Sequence, residues 1–312
     1  MSKYRYVCSG NIMSDQVQQP DGSLGEPHIG GPALFSYAGV KLYDDNCIIL
    51  SGVGSDFNEL YGEWCKNNGV DQSQLWRMVE KTHRFILKYN PEDGTYDAVN
   101  MLPLRQAERN MGLCEPTGHR FGLACDNKSV LYYTHDTFNW ASWENIFAAK
   151  KEKNFQFMWE IHAASAVPSQ VSRIEEVFKH VEMFSINYPE MRQMLGNISE
   201  KEAIAYLQQK FGKFCILRVG KRGMYTIWQN KSAFIPSIDS EKAVDATGCG
   251  NCSTGAAMYG WCETQDYIMA GIMGNIAAGY NVRQYGPYPK FTQVERQEAL
   301  ALARELRAAF KE

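Results

Sequence analysis

Apolar runs of strand composition alternate with helix-period stretches along almost the whole chain, and that alternation leaves few ways to fold it. Residues 4–9, 47–53, 130–133, 155–161, 183–186, 214–219, 224–229 and 232–238 read as strands. Several are apolar at successive positions, which implies burial on both faces. Helix patterns fill the intervals over residues 33–42, 56–67, 140–150, 171–179 and 199–211, and a last one runs from 292 to about 310. Strand and helix in this rhythm predict a mostly parallel central sheet with helices on each face, an α/β/α sandwich.

Local chemistry marks the borders. Pro32 stands in a first helical turn, where its missing N–H costs nothing. Ser199-Glu200-Lys201-Glu202 and Thr292-Gln293-Val294-Glu295 are capping boxes, and Asp56 reads as the cap of the helix after Gly54. Residues 75–104 interrupt the rhythm with two strand-like runs, 84–89 and 95–101, joined by the hairpin signal Asn90-Pro91-Glu92-Asp93-Gly94. With the polar, turn-rich residues 11–29, this excursion is expected to form a small β-lid inserted in a single domain spanning 1–312. At 312 residues, one large layered domain with such an excursion accommodates the chain.

Composition narrows the function classes. A net charge of −3 argues against a nucleic-acid partner, which would want a basic face. The most apolar late stretch, 267–282, is too short to span a bilayer and contains Asn275, so no membrane is expected. Nine cysteines without framework spacing, and a start that enters a strand directly, suggest reduced thiols and a cytoplasmic protein.

The stretch that carries chemistry is 244–258. Gly248 and Gly250 allow a sharp turn and close approach of a ligand to the backbone before an apolar helix. Free amides and the positive dipole end at such a helix start make a seat for an anion, although many glycine turns only turn. Asp245-Ala246-Thr247-Gly248-Cys249-Gly250-Asn251 resembles the Asp-Thr-x-Gly-Ala-Gly-Asp signature of the ribokinase-like (PfkB) carbohydrate and nucleoside kinases. The resemblance implies a ribokinase-like three-layer fold and ATP-dependent phosphorylation of a small sugar, polyol or nucleoside. It also implies that Gly248, Cys249 and Gly250 hold the transferring phosphoryl group. The family's final Asp takes the proton from the substrate hydroxyl; here that position is Asn251.

Further segments follow in the family's order. Gly10 to Asp15 is similar to the first strand-loop, whose Asp receives sugar hydroxyls; alone, Asp15 reads as a turn carboxylate. Gly30-Gly31 resembles the di-glycine that closes over the sugar, and Phe35 stands near the family's Asn. With Asp245 these residues form the substrate side that the resemblance implies. Asn187-Tyr188-Pro189-Glu190 matches an Asn-x-x-Glu motif that organises metal and phosphate, which would make Glu190 the Mg²⁺ residue; a helix start explains the pair equally well. Arg218, Gly220 and Gly223 resemble the nucleotide segment, or an ordinary turn between strands. Asn275 matches an adenine-side Asn, or is a satisfied core amide. Ala246, in place of Thr, lacks a hydroxyl that helps some members place a monovalent cation such as K⁺. Family lids also suggest a homodimer.

Asn251 leaves three readings open. A neutral amide accepts no proton at pH 7, and losing a general base typically costs about 10²–10⁴-fold. The chain is then an impaired or divergent kinase, a binding or regulatory protein derived from one, or an engineered Asp→Asn trap. On the first reading, Asn251→Asp is expected to raise turnover sharply. Cys249-Gly250-Asn251-Cys252 also forms a C-x-x-C at a helix start, a weak redox signal. The six histidines show no zinc spacing.

Overall fold

The computed structural model describes residues 3–19, 21–89, 96–238 and 243–311. Its strands are β1 Tyr6–Ser9, β2 Met13–Val17, β3 His28–Gly30, β4 Cys47–Gly54, β5 Leu75–Val79, β6 His83–Tyr89, β7 Tyr96–Asn100, β8 Val130–His135, β9 Gln156–Ile161, β10 Met183–Asn187, β11 Phe214–Arg218, β12 Gly223–Trp228 and β13 Lys231–Pro236. Its helices are α1 Pro32–Lys41, α2 Phe57–Asn67, α3 Leu104–Cys114, α4 Gly118–Ala124, α5 Trp140–Lys153, α6 Val171–Phe178, α7 Tyr188–Leu195, α8 Glu200–Lys210, α9 Cys249–Thr264, α10 Tyr267–Asn281 and α11 Gln293–Ala309.

The large sheet has nine strands in the order β13-β12-β11-β10-β9-β8-β1-β4-β5. All its pairs are parallel except β11-β12 and β12-β13. From β1 the chain winds first outward through β4 and β5, then returns to β8 and winds the other way. The crevice beyond the strand ends at that reversal is where such sheets hold ligands.

Side-chain alternation divides the interior into two apolar layers. Val130, Tyr132, Met158, Met183, Phe214 and Ile216 face α1, α2, α9, α10 and α11. Leu131, Phe157, Trp159, Phe184, Cys215 and Leu217 face α4 to α8 around Trp143. Because the strand period is two, Glu160 and Arg218 share the face of Met158 and Ile216, under α9. The capping boxes at Ser199 and Thr292 form as the sequence predicts.

Four strands, β3-β2-β6-β7, make the small lid sheet. Three expectations change here. Leu75–Val79 pairs parallel with β4 at the edge of the large sheet, so the second lid segment begins only at His83. Asp15 sits within β2, opposite His28 and Phe85, rather than in a turn. Asp56 precedes α2 but gives it no side-chain cap; its carboxylate instead accepts from Thr82 N at 2.7 Å, Thr82 Oγ1 at 2.8 Å and Arg84 Nη2 at 3.0 Å, tying the root of the lid to the sheet. The hairpin tip at Asn90 to Gly94 lies outside the described residues.

Candidate active site

Gly248 is the N-cap of α9 with φ 73°, a left-handed conformation that costs a glycine little. A Cβ there would lie 2.2 Å from the ring of Phe35, which α1 holds at 1% exposure. The turn is pinned from below, because Asp245 Oδ1 accepts from Thr247 N at 3.0 Å and Thr247 Oγ1 at 2.8 Å. The amide of Cys249 turns back to Ala246 O at 3.1 Å. Those of Gly250 and Asn251, next in the helix, have no acceptor within it. Residues 248 to 251 are all partly exposed, so this helix start borders open space. Of the amides expected to seat an anion, that of Cys249 is bonded back into the turn.

Sequence reasoning missed the group that meets Asn251. Glu160, 3% exposed near the end of β9, accepts from Asn251 Nδ2 at 3.0 Å and from Tyr132 Oη at 2.7 Å. Its Oε1 also pairs with Arg218 Nη1 at 2.8 Å. The same Nη1 would be 2.1 Å from a Cβ at residue 250, so glycine there lets the guanidinium lie against the first turn of α9. One signal was available: Glu160 is the only charged residue in the run Phe157-Met158-Trp159-Glu160-Ile161.

Chemistry fixes the orientation of the Asn251 amide. The Glu160 carboxylate only accepts, and the Tyr132 phenol, pushed far above its ordinary pKa by burial, gives its one proton to Glu160. Both neighbours therefore require a donor, and Nδ2 must face them, bonding Tyr132 Oη at 3.1 Å as well. The carbonyl Oδ1 is turned away from the pair.

A pocket between the lid sheet and the start of α9 gathers Asp15, His28, Phe35, Leu87, Asp245 and Thr247. Asp15 is 6% exposed and its Oδ1 has no partner among the described residues. Burial, with Asp245 beside it, pushes the Asp15 carboxyl up to about 7. Gly30 makes room for it, since a Cβ there would lie 1.9 Å from Asp15 Oδ2. Gly31 follows at the entrance to α1, packed against Asn11 O. Thus Asp15, Phe35 and Asp245, far apart in sequence, meet at one pocket, with Gly30 against Asp15; Gly31 turns the chain into α1.

Asn187 and Glu190 form a reciprocal cap on α7: Glu190 N donates to Asn187 Oδ1 at 2.8 Å and Asn187 N to Glu190 Oε2 at 3.0 Å. Burial raises Glu190 to about 6, opposed by the nearby Arg218 charge. Gly220 and Gly223 shape the turn between β11 and β12. Asn275 is committed elsewhere: its Nδ2 donates to Ile235 O at 2.8 Å and Pro236 O at 2.9 Å, so it ties α10 to β13 as a core amide. Burial pushes the Cys249 thiol up to about 11 and Cys252 well above the ordinary range, which disfavours the thiolate that a redox pair needs.

The donor set fits an anion, offered by the start of α9 and the adjacent Arg218 guanidinium. Among the described residues no three metal-ligating side chains converge.

The profile of the pfkB family carbohydrate kinases matches residues 26–293. A nucleoside kinase of Methanocaldococcus jannaschii is 20% identical over 305 residues, covering 90% of this chain and 91% of that one. Among solved structures, a protein from E. coli described as ribokinase II, in complex with ATP and Mg²⁺, superposes with a TM-score of 0.74 at 18% identity, over 98% of this chain and 100% of that one. A Burkholderia thailandensis nucleoside kinase in complex with inosine gives 0.73 at 14% identity, over 97% of each chain. At these identities the superpositions establish a common fold. No helix among the described residues is long and apolar enough to cross a membrane.

Proposed function

Since the chain belongs to the pfkB family of carbohydrate kinases, we propose that it moves a phosphoryl group from ATP to a hydroxyl of a small sugar, polyol or nucleoside. The observation that carries this is the adjacency of two sites. The partly exposed start of α9 borders a pocket that holds a buried carboxylate, Asp15, whose Oδ1 has no partner among the described residues.

Asp15 and Asp245 accept substrate hydroxyls, while Phe35 and Leu87 exclude water around the bound ring. The Gly250 and Asn251 amides, with Arg218, face the charge that develops on the transferring group; placing donors there is the largest usual term in such catalysis. Asn187 and Glu190 stand on the nucleotide side with Gly220 and Gly223, where Mg²⁺ would neutralise phosphate charge. The substrate oxygen forms a bond to the γ-phosphorus as the bond to ADP breaks. With an amide at 251, the hydroxyl proton passes to an oxygen of the transferred group, which suits a transfer that depends on position more than on a base. Asn275 has no part in nucleotide binding on this reading.

The test is ADP release with ATP and Mg²⁺ across sugars, polyols and nucleosides, with and without K⁺. Turnover on any compound supports the proposal, and its absence across the panel refutes it. The neutral Asn251 favours a second reading, a binding protein derived from a kinase. It would show ligand-dependent thermal stabilisation of about 3 kcal/mol at 100 Kd without ADP release. A cytoplasmic setting suits either reading. Pairing of two copies through the lid is tested by light scattering.

A further inference from the structure

We infer that Glu160 is a positioning residue that carries, one residue away, the negative charge absent from position 251, and that it fixes the Asn251 amide with its carbonyl toward the substrate. The inference rests on the kinase reading for its catalytic part, but its structural part stands on geometry alone.

Three observations converge on Glu160. Its carboxylate is 3% exposed and faces α9 from β9, two residues after the buried Met158 on the same face of the strand. It receives one donor from each of three elements: Tyr132 on β8, Arg218 on β11 and Asn251 on α9. Each donor is matched to it in kind, and a carboxylate at 251 would not be. An Asp there would place one oxygen where Nδ2 now stands, 3.0 Å from Glu160 Oε1, with the Tyr132 proton already committed. Two carboxylates at that separation cannot both ionise without mutual cost. The substitution that should restore a base is therefore the one this site is built to refuse. The same fit speaks against Asn251 as a trap introduced into an Asp site.

Function follows from which atom is left over. Glu160 and Tyr132 both demand Nδ2, so Oδ1 is held away from them and accepts the bond from the attacking hydroxyl. Glu160 never meets the substrate; it acts through Asn251 and through Arg218, which it anchors against Gly250.

The experiment is a cycle of Asn251→Asp, Glu160→Gln and the double variant, in which amide and carboxylate exchange places and the net charge is kept. Each protein is measured for thermal unfolding and, on whichever substrate the panel finds, for kcat and KM. Asn251→Asp alone is expected to lower Tm by roughly 5 °C or more. Turnover should fall about tenfold or more, in kcat rather than KM, as it would for a hydroxyl left misaligned. Glu160→Gln alone, which frees the amide to flip, should also lose in kcat. The double variant should recover most of the Tm and regain turnover above either single variant. Equal or higher Tm and faster turnover for Asn251→Asp would overturn the inference, as would a double variant no better than the worse single one. If no protein in the set turns over any compound, the kinase reading falls, while the Tm cycle still decides the pairing of Glu160 with Asn251.

Discussion

Replacing Gly248 with alanine perturbs the site at a single atom, and the structure lets its cost be divided. The backbone at φ 73° is left-handed, which disfavours an L-residue by about 1–2 kcal/mol. The new Cβ would also lie 2.2 Å from the Phe35 ring, and that ring, 1% exposed, has little room to retreat. Overpacking of this kind costs about 1–3 kcal/mol. The sum, roughly 2–5 kcal/mol, is a large share of the ~5–15 kcal/mol that holds a typical domain folded. Urea unfolding should therefore show Gly248→Ala well below the wild type. Phe35→Ala alone should cost about 3–5 kcal/mol through the cavity it leaves. In the double variant the overlap vanishes but the backbone strain remains, so the two costs should fall short of additive by about 1–3 kcal/mol. A Gly248→Ala cost under about 0.5 kcal/mol, or strict additivity with Phe35→Ala, would refute the reasoning, since surface-like tolerance means the ring does not lie against residue 248.

Asp15 gives a pH prediction. Its folded pKa, about 7, lies above the ordinary value of 3.8, so between those limits the folded state keeps a proton the unfolded chain has lost. Stability should rise as pH falls from about 7 to 4, and Asp15→Asn should remove that slope, gaining at most about 4 kcal/mol over wild type at pH 8 and nothing at pH 4. Urea midpoints across that range check the sign; an unchanged slope in the variant rejects it. For Gly250→Ala, helix propensity favours alanine by about 1 kcal/mol, but displacing Arg218 from a buried ion pair costs about 3–5 kcal/mol, so net loss is expected by thermal unfolding. Asn187→Ala should cost about 1 kcal/mol as a lost cap, measured by urea unfolding. Asn275→Ala, removing the amide donor from a buried carbonyl at Ile235 and a part-buried one at Pro236, should cost about 1–3 kcal/mol while nucleotide affinity, measured by calorimetry, stays unchanged.

The layered architecture could be read directly because its signals are local. Apolar runs on 47–54, 156–161 and 214–218 cannot fold with a bare face, and capping residues such as Ser199 and Thr292 mark helix starts by their own hydrogen bonds. The edge strand Leu75–Val79 is less legible: two of its five positions, Arg77 and Met78, are exposed, so only its pairing with β4 assigns it to the large sheet.

At the candidate site, sequence determined the glycine-rich helix start and the missing carboxylate at 251, because both are properties of consecutive residues. Tertiary structure alone decided what answers that loss. Tyr132, Glu160, Arg218 and Asn251 come from four separate elements, and no spacing along the chain reveals that a buried glutamate lies within hydrogen-bond reach of the amide. It decided as well that Asn275 serves the core, since two carbonyls of β13 happen to end within reach of its side chain. A motif states which groups a segment can offer. Which of them remain free for a ligand depends on what the rest of the fold brings against them.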